Sequence, residues 1–196
     1  MIFFFLLLLV TMFVSLIVQH FVGPLPMMGA RVLLMQLVMF YGSLAMPTWG
    51  MLGLAFAGGL MWDALHTQVA PELMVADKAG IREAGVEIAM GWSIVLYGAL
   101  CTIMSGFRPL FQRGRWEVHC LLSAVLTSAM VLAEYIMITI RREPVVFIFN
   151  KEVAWRIGGA GLVAMLLSPL LFFGLNYLAA VVGYDPQPDR FGRKRQ

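Results

Sequence analysis

The apolar stretches of this chain predict an all-α integral membrane protein with about six transmembrane helices in one compact bundle, since stretches of this length cross a bilayer unaided. Composition points the same way. Of the 196 residues, 61% are hydrophobic and 13% charged, and the mean hydropathy is +0.85. A soluble domain of that makeup would expose too much apolar surface. Proline, glycine and charged residues collect between the stretches, so the chain divides into spans and short connections.

Span one is Ile2 to Val22, without a charged side chain. At about 1.5 Å per residue it covers the roughly 30 Å hydrocarbon core. Ile2-Phe3-Phe4-Phe5 follows Met1 directly and no Ala-x-Ala site comes after it, so it reads as an uncleaved helix and not as a secretory signal. Gly23-Pro24-Leu25-Pro26 then forces a non-helical connection, because proline lacks an amide proton and biases its predecessor away from helix. Span two, Val32 to Met46, and span three, Trp49 to Leu65, are separated only by Pro47-Thr48 and form an antiparallel hairpin.

His66 to Glu87 turns polar, mixing Asp77, Lys78, Arg82, Glu83 and Glu87 with Leu73, Ile81 and Ala84, the pattern of an interfacial helix. Span four, Ile88 to Ser105, ends at Gly106 and Pro109 and leads into a short basic loop with Arg108, Arg113 and Arg115. Span five is Val118 to Ile140. The linker Arg141 to Lys151 contains Pro144 and the β-branched, aromatic run Val145 to Phe149, which selects no single conformation. Span six, Ala154 to Val182, is expected to kink near Pro169. Residues 1–184 thus make one polytopic transmembrane domain, and 185–196 a basic, disordered tail carrying Arg193, Lys194 and Arg195.

Six spans place both termini on one side. Lysine and arginine do not decide which: Arg108, Arg113, Arg115, Arg190, Arg193, Lys194 and Arg195 fall on the side of the termini, and Arg31, Lys78, Arg82, Arg141, Arg142, Lys151 and Arg156 on the other, an even division of the 14. Cytoplasmic termini are the preferred orientation. The pI near 9.1 is met by anionic lipid headgroups, because no recognition motif or aromatic interleaving accompanies the basic residues, and nucleic acid is not an expected partner. Cys101 and Cys120 lie in apolar stretches and read as buried free thiols.

Two carboxylates fall inside the spans. Asp63 closes span three and, near a helix end, is expected to reach interfacial water. His66 could share its face, but two ligands do not make a metal site. Glu134 is deeper in span five and must be protonated, paired or cavity-facing. An interhelical hydrogen bond or a partner-subunit contact is the preferred reading over ion conduction, since the other intramembrane polar groups are Gln36, Asn176 and scattered Ser and Thr.

Small residues mark close helix approach: Gly50, Gly53, Ala57 and the pair Ala55 and Gly59 in span three, and Gly158 to Gly161 with Ala164 in span six. Packing within the chain and packing on a partner explain them equally. No HExxH, GxSxG, Walker A loop or Cys/His pair at useful spacing occurs. The expectation is a non-enzyme without catalytic residues, cofactor or metal. His20, His66 and His119 near span ends, the 15 Met and the 5 Trp are read as packing and interface residues.

The hairpin continuing into Trp49-Gly50-Met51-Leu52-Gly53-Leu54-Ala55-Phe56-Ala57-Gly58-Gly59-Leu60-Met61-Trp62-Asp63 resembles the bacterial rod shape-determining MreD family. Gly59-Leu60-Met61-Trp62-Asp63 stands where that family has a Gly-Leu-x-x-Asp-like signature, and Ser168-Pro169-Leu170-Leu171-Phe172 where its last span has a late proline. Family members follow the Asp with a short glycine-containing turn, whereas here Ala64-Leu65-His66-Thr67-Gln68 leads into a long charged connection. The resemblance implies a non-catalytic subunit of the elongation machinery for side-wall peptidoglycan in the bacterial cytoplasmic membrane. Its implied partners are an MreC-like scaffold, a RodA-type glycosyltransferase with its transpeptidase and, indirectly, MreB filaments. Small residues of span three or six would receive a partner helix, with Arg108, Arg113, Arg115 and the tail on anionic lipid or a cytoplasmic partner.

The alternative is a substrate-binding membrane subunit of a vitamin transporter of the energy-coupling-factor type, whose compact helical fold MreD-like proteins resemble. Those subunits carry an Ala-x-x-x-Ala surface in the first helix, and Ile2 to Val22 contains no alanine. A small channel or proton-coupled carrier built on Asp63 and Glu134 lacks a visible internal repeat.

Overall fold

The computed structural model describes residues 1–22, 30–65, 91–112, 116–141 and 150–184. Those residues form α1 (Ile2–Phe21), α2 (Leu34–Ala45), α3 (Thr48–Leu65), α4 (Trp92–Gly106), α5 (Arg108–Gln112), α6 (Trp116–Arg141) and α7 (Lys151–Val181). Of these, α1, α6 over Glu117–Ile140, and α7 are long and apolar enough to cross a membrane. The expectation of about six spans is therefore met in part. With 12 and 15 residues, α2 and α4 are shorter apolar helices. Glycines, Trp49, Trp62 and Asp63 dilute the hydropathy of α3. The expected interfacial helix, the run Val145 to Phe149 and the basic tail lie outside the described residues.

Helix α1 buries Phe4, Leu8, Met12, Ser15 and Leu16, a stripe at helical spacing. Its other face exposes Phe3, Leu6, Val10, Phe13, Val14 and Ile17. Apolar residues on the outside as well as the inside suit lipid, where the outer face loses nothing by exposure. By contrast α2 is buried all round from Met35 to Ala45 and forms the centre on which α1, α3, α4 and α7 pack. The predicted hairpin is present, with Met46 and Pro47 between α2 and α3.

A short helix in apolar surroundings needs partners for its terminal backbone groups. Other parts of the chain supply them to α2. Near its start the Met35 amide donates to Gln19 Oε1 of α1 at 3.2 Å. At its end the Ala45 carbonyl accepts from Tyr184 Oη at 2.9 Å and from Arg108 Nη2 at 3.4 Å. Tyr184 also stacks on Phe4, with centroids 4.2 Å apart, so the start of α1 and the end of α7 meet beside the end of α2. Arg108, expected on a basic surface, is partly buried and turns one guanidinium nitrogen to this cap. The basic loop expected there begins as α5, with Pro109 in its first turn, where a missing amide costs little.

Helix α7 continues through Pro169. Proline deprives the carbonyl four residues earlier, that of Met165, of its amide donor. Ser168 is fully buried, and its hydroxyl donates to that carbonyl at 3.2 Å. Thr11, Thr102 and Thr139 likewise donate to the carbonyls of Leu7, Gly98 and Tyr135, so these hydroxyls are satisfied within their own helices.

Candidate buried polar site

The helix ends away from the Phe4–Tyr184 pair gather one group of polar side chains inside the molecule. Arg31 precedes α2 and Gln36 sits in its first turn, while Trp62 and Asp63 close α3. Gly91 caps the start of α4, and Tyr97 follows within two turns. Glu134 comes from the last third of α6, within about 10 Å of that helix's end at 1.5 Å per residue.

Asp63 corrects the sequence reading. Its side chain is 5% exposed and accepts a hydrogen bond from the Gly91 amide at 2.6 Å, so it does not reach out to water. Gly91 has φ +98°, a left-handed conformation that glycine adopts without penalty. A carboxylate from the end of one helix thus satisfies an amide at the start of the next and sits where the positive end of the α4 dipole favours it.

Glu134 is half-buried as a residue, but its carboxyl lies inside: Oε1 is sealed from solvent and has no hydrogen-bond partner. The Trp62 indole N–H donates to the carboxyl group, and Arg31 and Asp63 both lie within electrostatic reach of it. Tyr97 and Gln36, each fully buried, complete the group. Gln36 Nε2 donates to Tyr97 Oη at 3.3 Å, leaving Gln36 Oε1 buried without a partner. Trp62 and Tyr97 meet edge to face, centroids 6.3 Å apart. Beside Gly91, the Trp92 indole N–H is also buried and unpartnered.

The interhelical reading of Glu134 thus finds a donor in Trp62 of α3. Asn176 belongs elsewhere: it accepts from Tyr41 Oη at 2.8 Å and joins α7 to α2. Three residues of the polar site, Arg31, Gly91 and Tyr97, drew no site role from the sequence, and Trp62 only that of a packing or interface residue within the Gly59–Asp63 run. Their signal is spatial. Tyr97 and Gln36 are 61 positions apart and Gly91 and Asp63 are 28 apart.

The small residues divide between inner and outer faces. A Cβ on Gly59 would come 2.5 Å from the Ile94 backbone, so this glycine lets α4 lie against α3. A Cβ on Gly161 would meet Ser128 Oγ and, at 2.9 Å, the Ala124 carbonyl, so it lets α7 close on α6. Ser128 Oγ donates across that approach to the Ile157 carbonyl at 3.1 Å. Gly53 faces the ring of Phe5 in α1, Gly50 faces Met46, and the half-buried Ala57 packs against the core. Gly158 and Pro169 are exposed, and a Cβ on Gly158 would meet nothing within 4 Å.

Arg113, Arg115, Arg193, Lys194, Arg195 and His66 lie outside the described residues. Among the described residues no group of three or more His, Cys, Asp or Glu could hold a metal ion. Cys101 and Cys120 are buried free thiols. No family model matches the chain, and neither does any curated protein or solved structure.

Proposed function

We propose that the chain is a non-catalytic, six-pass subunit of the bacterial cytoplasmic membrane that docks a partner's transmembrane helix within the rod elongation complex. The MreC-like scaffold is its direct partner, and through it the RodA-type glycosyltransferase, its transpeptidase and the MreB filaments that organise side-wall peptidoglycan. The resemblance of Gly59 to Asp63 and of Ser168 to Phe172 motivates the family assignment. The meeting of Phe4 with Tyr184 supports an even number of crossings with both termini on one side; in this reading that side is the cytoplasm.

One observation carries the docking role. On α7, Ala154 and Gly158 are both exposed and four residues apart, with open space above Gly158. This step continues into exposed Leu162, Leu166, Leu170 and Phe173. A small-xxx-small step on an outer apolar face lets a second helix approach closely, and lipid tails fill it poorly. The inward glycines, Gly59 and Gly161, are already occupied by this chain's own helices.

The test is co-purification of the tagged chain with its host's MreC-like protein, comparing wild type with Ala154→Leu/Gly158→Leu. Recovery by wild type and loss in the variant, with unchanged thermal stability, supports docking on α7. No recovery by wild type counts against the scaffold role. The transporter-subunit reading draws on the unpartnered Gln36 and Glu134 oxygens. It requires a ligand, whereas docking does not.

A further inference from the structure

Helix α7 changes partners at Pro169. Before the proline it lies on α6, with Gly161 against Ala124 and Ser128 and the Ile157 carbonyl accepting from Ser128 Oγ at 3.1 Å. After the proline it lies on α1 and α2, through Phe172 and Asn176 on Tyr41 and through Tyr184 on Phe4 and the Ala45 carbonyl. The Gly161 and Ile157 contacts set an antiparallel register that puts Pro169 opposite the first turn of α6. There a hydrogen bond joins the His119 ring to the Leu110 backbone of α5. The same register puts Glu134, about 22 Å further along α6, opposite the first turn of α7.

At 100° per residue Ser123, Thr127 and Glu134 fall on one face of α6. From this face the Glu134 carboxyl takes the indole N–H of Trp62 in α3, with the Arg31 guanidinium in electrostatic reach. Ser123 and Thr127 are fully buried and, unlike Thr139, make no hydrogen bond. Buried hydroxyls without partners cost free energy that water returns on exposure. The face is therefore held more weakly than its burial implies, and the Trp62–Glu134 hydrogen bond fastens its far end.

We propose that α6 and the first half of α7 form one arm that swings on Pro169 and is latched shut by the hydrogen bond from Trp62 to Glu134. Gly161 interlocks the two helices, so they move together. Proline lacks the amide that braces a helix, and helices bend most readily there. At this point only the Ser168 hydroxyl, 3.2 Å from the Met165 carbonyl, bridges the gap. A bend of about 20° carries the tip of a 22 Å arm about 7 Å from α3 and lets water reach Thr127 and Ser123 from the Glu134 end. The Ala154 and Gly158 step rides on this arm, but the hinge needs no partner and stands or falls independently of the docking role.

The experiment is double electron–electron resonance on the full chain in lipid nanodiscs, with genetically encoded spin labels at the exposed Leu60 of α3 and Ile136 of α6. Leu60 with the exposed Phe13 of α1 is the control pair. Trp62→Phe keeps an aromatic ring and removes the donor. It is expected to raise the population at longer Leu60–Ile136 distances by about fivefold or more, the order of one lost hydrogen bond. That population lies about 5 Å or more beyond the main one, while the control pair stays as in wild type. Pro169→Ala restores the amide and is expected to suppress the longer distances in the Trp62→Phe background. An unchanged Leu60–Ile136 distribution in Trp62→Phe, an equal broadening of the control pair, or longer distances that survive Pro169→Ala overturns the proposal. Should Trp62→Phe fail to fold, Glu134→Ala removes the acceptor instead and is read by the same criteria.

Discussion

Asp63, at the end of α3, accepts the backbone amide of Gly91, at the start of α4, across 2.6 Å. The bond joins the two ends of a 27-residue excursion of the chain, so α3 and α4 stay paired whatever the connection between them does. Asp63→Ala leaves that part-buried amide without its acceptor, at a cost of about 1–3 kcal/mol. Asp63→Asn keeps an acceptor and loses less. Thermal unfolding of the two variants in the same detergent checks the order, and equal stability of Asp63→Ala and wild type contradicts it.

Gly59 and Gly158 provide a matched pair of glycines with opposite expected responses. A methyl group on Gly59 runs into the Ile94 backbone, which cannot swing aside as a side chain can, so Gly59→Ala is expected to destabilise by about 1–3 kcal/mol. Gly158→Ala enters open space and gains helix propensity, up to about 1 kcal/mol. Opposite shifts in melting temperature are the expected result.

The Ser168 hydroxyl stands in for the amide that Pro169 lacks. Ser168→Ala alone is expected to cost about 1 kcal/mol, as for loss of one buried hydrogen bond. In a Pro169→Ala background the amide returns to the Met165 carbonyl, and the same serine substitution becomes nearly neutral. A double-mutant cycle measures the coupling, and simple additivity would show that the hydroxyl does not compensate for the proline.

Tyr184 and Arg108 share the Ala45 carbonyl at the end of α2. Tyr184→Phe keeps the ring stacked on Phe4 and removes one donor, so a loss of about 0.5–1.5 kcal/mol is expected. Tyr184→Leu loses the stacking as well and is expected to cost more. Chemical denaturation of both, referred to wild type, checks the ranking.

Helix positions were legible where length and punctuation agree. The expected spans Ile2 to Val22, Trp49 to Leu65 and Val118 to Ile140 lie close to the observed α1, α3 and α6. What hydropathy does not report is the environment of a helix. A stretch such as Leu34–Ala45 reads the same whether it spans lipid or lies wholly inside protein, and here it is buried on every side. Glu134 stood out because a carboxyl among apolar neighbours is costly wherever it sits. Its surroundings did not, because Trp62, Arg31 and Tyr97 come from separate segments whose meeting depends on how the helices pack. Asp63 misled for a related reason: position near a helix end says how far water is along the axis, and nothing about a neighbouring helix that stands in between.

A photocrosslinking amino acid placed at Gly158 in cells, followed by mass identification of the adducts, tests the docking role most directly. A discrete adduct with the MreC-like scaffold, diminished by Ala154→Leu, is the predicted result. Lipid adducts alone at Gly158, from a chain that is folded and membrane-inserted, would contradict it.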